Sequence, residues 1–180
     1  GQGIETAGER QEPVVLAAHE PGFTVVGQAG SGRTTVLRAV ATQAAAVHWV
    51  GGSAEQAWDA LGEVAAQPPG TAVLVDDVDT MLTTLPSDYA AEALSRLEHA
   101  AREARSRGIH VVLTARRLGA GVTRVADLLP RRLLLALPSR ADHVAAGGDG
   151  REALVDAPPG RGRWGSTLLQ VCEPEDVPVP

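Results

Sequence analysis

The hydrophobic residues of this chain fall into short continuous runs that alternate with longer stretches in which apolar positions recur at helical spacing. Short continuous apolar runs are typical of strands that are buried on both faces of a parallel sheet. The predicted strands cover residues 14–17, a segment beginning at Phe23, 47–50, 71–75, 109–114, 133–137 and 167–171. Strands that alternate with helices predict an α/β fold with a mostly parallel central sheet.

Between the strands, apolar residues at i, i+3 and i+4 predict amphipathic helices. The predicted helices span 33 to about 45, a segment that follows Ser53, 88–107 and 122–129. Ser53 begins a Ser-Ala-Glu-Gln capping box, in which Gln56 reaches back to the Ser53 amide. Ser87 is predicted to cap the longest helix and Gly108 to end it.

Several segments have neither pattern. Residues 1–12 are polar and are predicted to be a flexible N-terminal segment. Residues 158–164 predict a tight glycine turn before the last strand. The tail, 173–180, is acidic and proline-spaced, which predicts an extended and flexible segment. A single folded domain is therefore expected over 13–172.

The strand that begins at Phe23 runs into a glycine-rich loop and then a helix, which is the context that a phosphate-binding loop requires. The spacing fits that loop, with arginine at the position of its usual lysine. Glycines let backbone N–H groups approach a phosphate, the helix N-terminus adds its dipole, and a hydroxyl in the first turn suits Mg²⁺. The predicted nucleotide-binding residues are Gly27, Gly30, Ser31, Gly32, Arg33, Thr34 and Thr35. The alternative is a plain glycine turn with a solvated Arg33.

The apolar run that begins at Thr71 ends in two adjacent carboxylates, Asp76 and Asp77. In P-loop proteins this is the Walker B arrangement, in which the first carboxylate approaches Mg²⁺ and the next acidic residue acts on the attacking water. We therefore expect Thr34 and Asp76 to be the metal ligands and Asp77 to occupy the catalytic position. The alternative is that the pair marks a strand end and caps a turn.

Two arginines, Arg116 and Arg117, follow the predicted strand 109–114. They stand at the sheet edge where ligands of open α/β folds bind. They could bind phosphate, pair with Asp76 and Asp77, or be solvated, and we favour the last two together.

Composition narrows the class of protein. The 180 residues carry a net charge of −6, and 44% of them are apolar, so an acidic packed domain is expected. A domain that binds DNA through a large electrostatic footprint is normally basic, which disfavours nucleic acid as a partner. The single cysteine, Cys172, excludes an internal disulfide, and no segment resembles a signal peptide or a membrane span. A soluble cytoplasmic domain is expected.

The chain has one extra strand between the glycine loop and the carboxylates. This order of elements resembles that of a RecA-like P-loop NTPase, which is a three-layer sandwich. Four segments resemble the FtsK/SpoIIIE family of motor ATPases, in particular the terminal ATPase domains of type VII secretion motors of the EccC kind. These segments are Gly27-Gln-Ala-Gly-Ser-Gly-Arg-Thr-Thr35, Val73-Leu-Val-Asp-Asp77, Leu113-Thr-Ala-Arg-Arg117, and Pro158-Pro-Gly-Arg-Gly162 with Gln170-Val171. The first two are general to P-loop proteins, and the last two are more specific to the family.

The chain departs from the family in several respects: Arg116 stands where translocases often carry glutamine, the segment between the glycine loop and the carboxylates is shorter than in the DNA-pumping members, and two site positions differ. Active members carry lysine where Arg33 stands and usually glutamate where Asp77 stands. Arginine keeps the charge but not the point contact of lysine, and aspartate is one methylene shorter than glutamate. The resemblance therefore implies a degenerate domain that holds ATP or ADP with Mg²⁺ and hydrolyses it weakly or not at all.

The resemblance also implies partners. They are neighbouring ATPase domains of the same motor and the tails of secreted substrate proteins. Membrane contact is expected only through other parts of a full-length protein, in a membrane-associated cytoplasmic complex. Two other functions stay open: a protein-interaction module with an empty phosphate loop, and an active DNA-translocating ATPase.

Overall fold

The computed structural model describes residues 4–6, by their backbone alone, and residues 17–174. One mixed sheet runs through the described part. Its strands are β1 (Ile4–Thr6), β2 (Gly22–Val26), β3 (Ala46–Val50), β4 (Thr71–Val75), β5 (His110–Ala115), β6 (Arg131–Leu134), β7 (Arg161–Trp164) and β8 (Thr167–Val171). The α-helices are α1 (Arg33–Gln43), α2 (Ala54–Gly62), α3 (Val78–Thr84), α4 (Ser87–Arg107), α5 (Ala120–Ala126) and α6 (Arg140–Ala145).

The strand order is β1-β8-β7-β6-β2-β5-β4-β3. The five strands from β6 to β3 are parallel to one another, whereas β7, β8 and β1 extend the sheet as antiparallel neighbours. The glycine-loop strand β2 therefore lies in the middle, between β5 and β6. This arrangement confirms the predicted RecA-like α/β fold with a mostly parallel sheet.

Alternating side chains of the central strands build a core on each face of the sheet, as the pleat requires. Val73 and Val75 of β4 face a core that α2, α3, α4 and α5 cover, whereas Ala72 and Leu74 face the core beneath α1. The helices thus form two outer layers around the sheet. Burial on both faces explains why these strands read as continuous apolar runs.

The parallel arrangement also determines where the candidate site residues lie. Val26 at the end of β2 is in register with Ala115 at the end of β5, and Val75 at the end of β4 is in register with Leu113. The loop after β2 and the carboxylates after β4 therefore meet at one edge of the sheet, where open α/β folds bind ligands.

The structure corrects the predictions for 161–164 and Ser87, and it adds two helices. Residues 161–164, predicted as part of a turn, form β7, which pairs with β8 across a tight turn at Gly165 and Ser166. Ser87 is not a cap, because α4 begins at Ser87 itself and no side chain caps that helix. Helices α3 and α6 were not expected.

The described residues test the predictions for the two chain ends only in part. Within the segment predicted to be flexible, Ile4–Thr6 pairs with β8 at the sheet edge. Residues 14–16 of the first predicted strand and 175–180 of the tail lie outside the described residues. Among the helices of the described part, none has the length and apolar character needed to cross a membrane.

Candidate functional site

The glycine loop connects β2 to α1 and is anchored at its entry. The Gly27 N–H donates to the Ala115 carbonyl at 3.1 Å, and the Gln28 N–H donates to the Ala136 carbonyl at 2.9 Å. A further bond, from the Ser31 N–H to the Gln28 carbonyl, closes a turn. The loop is therefore held by the ends of both neighbouring strand segments before the helix begins.

Beyond this turn, the backbone N–H groups are left for an external acceptor. Those of Gly30, Gly32 and the first three residues of α1 make no backbone hydrogen bond within the described part of the chain. Gly32 is the N-cap of α1, and the first turn contains neither a capping side chain nor an acidic residue. An uncapped helix N-terminus preceded by a glycine turn is a site suited to an anion such as phosphate.

Gly32 also fixes the loop against a second segment. Its φ of 100° is unfavourable for other residues, and a Cβ there would lie 2.6 Å from the Gly160 nitrogen. The Gly160 N–H donates to the Ser31 carbonyl at 2.8 Å. The segment 158–162, one of the two more family-specific motifs, is thus packed directly on the glycine loop.

Asp76 lies beside the first turn of α1. Its Oδ2 accepts a hydrogen bond of 3.2 Å from the Thr34 hydroxyl, and its Oδ1 accepts one of 2.8 Å from the Thr114 hydroxyl. The structure therefore brings together Thr34 and Asp76, the two predicted metal ligands. Hydroxyl and carboxylate oxygens are ligands that suit Mg²⁺, so these residues fit that ion.

Asp77 faces Arg33. The Nη1 atom of Arg33 donates to Asp77 Oδ1 at 3.0 Å, and the two side chains are 11% and 30% exposed. Although burial acts to raise the pKa of Asp77, the Arg33 guanidinium and hydrogen bonds from neighbouring side chains bring it below its ordinary value. The two residues that depart from the family pattern are therefore partners of each other.

The backbone of Asp77 is also unusual. Its φ of 53° and ψ of 55° are left-handed, a conformation that costs a residue other than glycine roughly 1–2 kcal/mol. Its N–H donates to the Thr114 hydroxyl at 2.8 Å. Thr114 thus holds both carboxylate residues, and sequence reasoning missed it. Its signal is a polar residue that follows the apolar run 111–113 near the ligand edge.

Two loop residues have no visible polar role. Ser31 is buried and Thr35 is half-buried, and neither side chain makes a hydrogen bond within the described residues. The predicted binding residues nevertheless all lie in the glycine loop or in the first turn of α1.

Asp79 and Arg116 extend the cluster towards α3. The Arg116 N–H donates to Asp79 Oδ2 at 3.0 Å. Burial and the nearby Asp77 carboxyl raise the pKa of Asp79. The Arg116 and Arg117 side chains are exposed, and neither forms an ion pair with Asp76 or Asp77. The predicted exposure of the two arginines to solvent is therefore confirmed, and their predicted pairing with the aspartates is wrong. Asp77 binds Arg33 instead, and Asp76 accepts hydrogen bonds from the Thr34 and Thr114 hydroxyls.

No protein-family model and no curated protein matches the chain. Several solved structures share its fold. ATPases 2 and 3 of EccC from Thermomonospora curvata, solved in complex with a signal sequence peptide, align at 19% identity and a TM-score of 0.71. That alignment covers 96% of this chain and 43% of the EccC chain.

ATPases 2 and 3 of EssC from Geobacillus thermodenitrificans align at 16% identity and a TM-score of 0.68, over 99% of this chain and 45% of that one. The pCW3 conjugation coupling protein TcpA, solved with ATPgS, aligns at 16% identity and a TM-score of 0.66, over 96% of this chain and 66% of that one. The chain spans less than half of the EccC and EssC chains. It therefore has the fold of EccC-like ATPase domains, in agreement with the resemblance of its motifs to the FtsK/SpoIIIE type.

Proposed function

We propose that this chain is a nucleotide-binding domain of a type VII secretion-like motor, which binds ATP or ADP with Mg²⁺ and hydrolyses it slowly or not at all. The observation that carries the proposal is the arrangement around α1. Unpaired backbone N–H groups, the Thr34 hydroxyl and the Asp76 carboxylate lie together, whereas Asp77 is engaged by Arg33. The first group of contacts supports nucleotide binding, and the short Asp77 side chain supports slow hydrolysis.

In this proposal, the loop 27–35 holds the phosphates through its backbone N–H groups, and Thr34 and Asp76 hold the metal. Mg²⁺, when bound, neutralises phosphate charge. Thr114 keeps Asp76 in place through its 2.8 Å hydrogen bond. Arg33 supplies the positive charge of the loop.

Slow hydrolysis follows from the position of Asp77. A general base must come within hydrogen-bond reach of the attacking water, and before nucleotide enters, Asp77 Oδ1 accepts the Arg33 guanidinium. The aspartate is also one methylene shorter than the glutamate of active family members. A misplacement of about 1 Å can cost roughly 10²-fold in rate.

The test is the turnover rate of the purified chain with Mg-ATP. We expect turnover far below the range of about 1–10³ s⁻¹ that is common among enzymes. The Arg33→Lys, Asp77→Glu double variant restores the residues of active family members and is the comparison. Turnover of about one per second or faster in the wild-type chain, abolished by Asp76→Ala, would contradict the proposal.

The proposed setting is a multidomain motor. EccC and EssC chains contain more than one ATPase domain, and this chain spans less than half of each. We propose that neighbouring ATPase domains are partners and that the domain works on the cytoplasmic side of a membrane-associated complex. Other parts of a full-length protein would contact the membrane. The net charge of −6 argues against DNA as the ligand.

A second candidate function, docking of a partner protein, is supported by a groove of about 550 Å³ between α3, α4 and α5. Leu82, Leu94 and Val122 contribute apolar surface to it, and the exposed Arg116 and Arg117 lie at its border. On an acidic molecule, two arginines beside an apolar groove favour an amphipathic segment with acidic residues at one end. We propose that a substrate tail of this chemistry binds there.

A charge exchange tests the docking. The probes are two synthetic amphipathic helical peptides with the same leucine face, one ending in two glutamates and the other in two lysines. We expect the glutamate peptide to bind the wild-type chain more tightly and the lysine peptide to bind the Arg116→Glu, Arg117→Glu variant more tightly. Arg102→Glu, on α4 but outside the groove lining, is the control. Equal binding of both peptides to all variants would contradict docking at this groove.

A further inference from the structure

We infer that the Arg33–Asp77 ion pair is an internal latch, in which the Asp77 carboxylate occupies the position that a nucleotide phosphate takes on Arg33. The inference rests on the proposed function, because phosphate is the competing anion. Arg33 is the only charged residue between Gly27 and Thr35, so it is the only side-chain cation of the loop. Its charge is already satisfied by the carboxylate at 3.0 Å.

A phosphate can replace the Asp77 carboxylate on Arg33. A guanidinium binds carboxylate and phosphate oxygens through the same N–H donors. The Arg33 side chain is only 11% exposed, so solvent competes weakly for it. Phosphate that enters the loop therefore meets a neutralised arginine together with a neighbouring negative charge. Nucleotide affinity is lowered until Asp77 releases Arg33.

Release of Asp77 from Arg33 would also affect helix α3. Asp77 is the N-cap residue of α3, and its left-handed backbone is held by the ion pair on one side and by the Thr114 hydroxyl on the other. Helix α3 contributes Thr80, Leu82 and Thr83 to the groove that it shares with α4 and α5. Loss of the ion pair therefore loosens the start of a helix that lines this groove, which links nucleotide occupancy to the docking surface.

A double-mutant cycle tests the latch. The probe is Mg-ADP, which removes hydrolysis from the comparison, and the measured quantity is its dissociation constant. Asp77→Asn removes the charge and keeps a residue that tolerates the left-handed backbone. We expect Asp77→Asn to bind Mg-ADP about fivefold more tightly than wild type, the equivalent of one ion pair. In the Arg33→Gln background the same substitution is expected to change affinity by less than about twofold.

Simple repulsion by a carboxylate makes the opposite prediction. In that case Asp77→Asn tightens binding equally with and without Arg33, and the nearby Asp79→Asn gives a similar gain. Either result would overturn the latch, as would weaker binding by Asp77→Asn. The Asp79→Asn comparison decides the question even where Arg33→Gln binds too weakly to measure.

Hydrogen exchange supplies a second readout. The Asp77 N–H donates to the Thr114 hydroxyl and the Met81 N–H to the Asp77 carbonyl. Mg-ADP is expected to speed exchange at these two amides in the wild-type chain but not in Asp77→Asn, where the pair is already absent. No change in the wild-type chain at saturating Mg-ADP would overturn the link to α3.

The latch and the proposed function fail separately. Binding of Mg-ADP by the wild-type chain, without a gain in Asp77→Asn, removes the latch and leaves the proposed function intact. Binding by Asp77→Asn alone would support the latch and remove nucleotide binding from the wild-type chain. If neither chain binds Mg-ADP, both ideas fail.

Discussion

At the scale of single residues, the buried hydroxyl of Thr114 organises the carboxylate end of the site. It donates to Asp76 and accepts the Asp77 N–H, both at 2.8 Å. A second threonine on the adjacent strand, Thr24, is equally buried at 0% exposure, but its hydroxyl has no partner within the described residues. The two residues offer a matched pair with and without polar contacts.

Replacement of each threonine by valine separates these roles. Thr114→Val removes a partner from the half-buried Asp76 carboxylate and Asp77 N–H, so we expect it to lower the free energy of unfolding by about 1 kcal/mol. Thr24→Val removes an unpaired hydroxyl and is expected to be neutral or stabilising. Chemical denaturation measures both. Similar losses for the two variants would show that the Thr114 bonds contribute little.

The sequence predicts part of this site, and the reason is geometric. The loop spacing specifies a helix start, and an apolar strand ending in two aspartates specifies the neighbouring edge, so Thr34 and Asp76 could be brought together without coordinates. The Arg33–Asp77 pair joins residues almost equally distant in sequence, yet it could not be predicted in this way. Such a contact depends on side-chain rotamers and on the left-handed backbone of Asp77.

At the scale of elements, the helix starts differ in how they are capped. The Ser53 side chain accepts the Gln56 N–H, and the Gln56 side chain accepts the Ser53 N–H, which confirms the predicted capping box. Ser87 is the first residue of α4 and has no such role. We expect Ser53→Ala to lower the free energy of unfolding by about 1 kcal/mol and Ser87→Ala to change it little. Thermal unfolding measures both, and a larger loss for Ser87→Ala would contradict these assignments.

Helix α6 gives the molecule a pH-dependent element. His143 is 1% exposed, and burial, followed by the positive charge of Arg163, lowers its pKa. The unfolded chain therefore binds a proton more readily than the folded one. Stability that is present above the ordinary pKa of about 6.5 is lost as the pH falls below it. We expect His143→Gln to flatten the fall in melting temperature between pH 7.5 and 5.5, and an unchanged slope would contradict this origin.

In α3 and β7, which sequence reasoning missed, polar residues weaken the hydrophobic pattern. Helix α3 contains three threonines, whose β-branched side chains weaken a helical prediction, although Val78 and Met81 are buried at helical spacing. The arginines of β7 obscured its alternation, and the two-residue Gly-Ser connection to β8 is the hairpin signal that predicts it. The strongly apolar strands β4 and β5 were predicted to within a residue because burial on both faces leaves little ambiguity.

At the scale of the whole molecule, the strand order decides where function is possible. Because β2 lies between β5 and β6, the glycine loop opens at the centre of the ligand edge and is flanked by Asp76 and Thr114. The antiparallel extension by β7 and β8 brings Gly160 against the same loop. Four distant parts of the sequence thus converge on one candidate phosphate site.

The central claim is that this convergence binds nucleotide, and calorimetric titration of the chain with Mg-ATP tests it most directly. We predict saturable heat with one site per chain and a weaker dependence on magnesium in Thr34→Ala, because that hydroxyl is a proposed metal ligand. The absence of any heat with millimolar Mg-ATP would contradict the claim and favour a protein-interaction module with an empty loop.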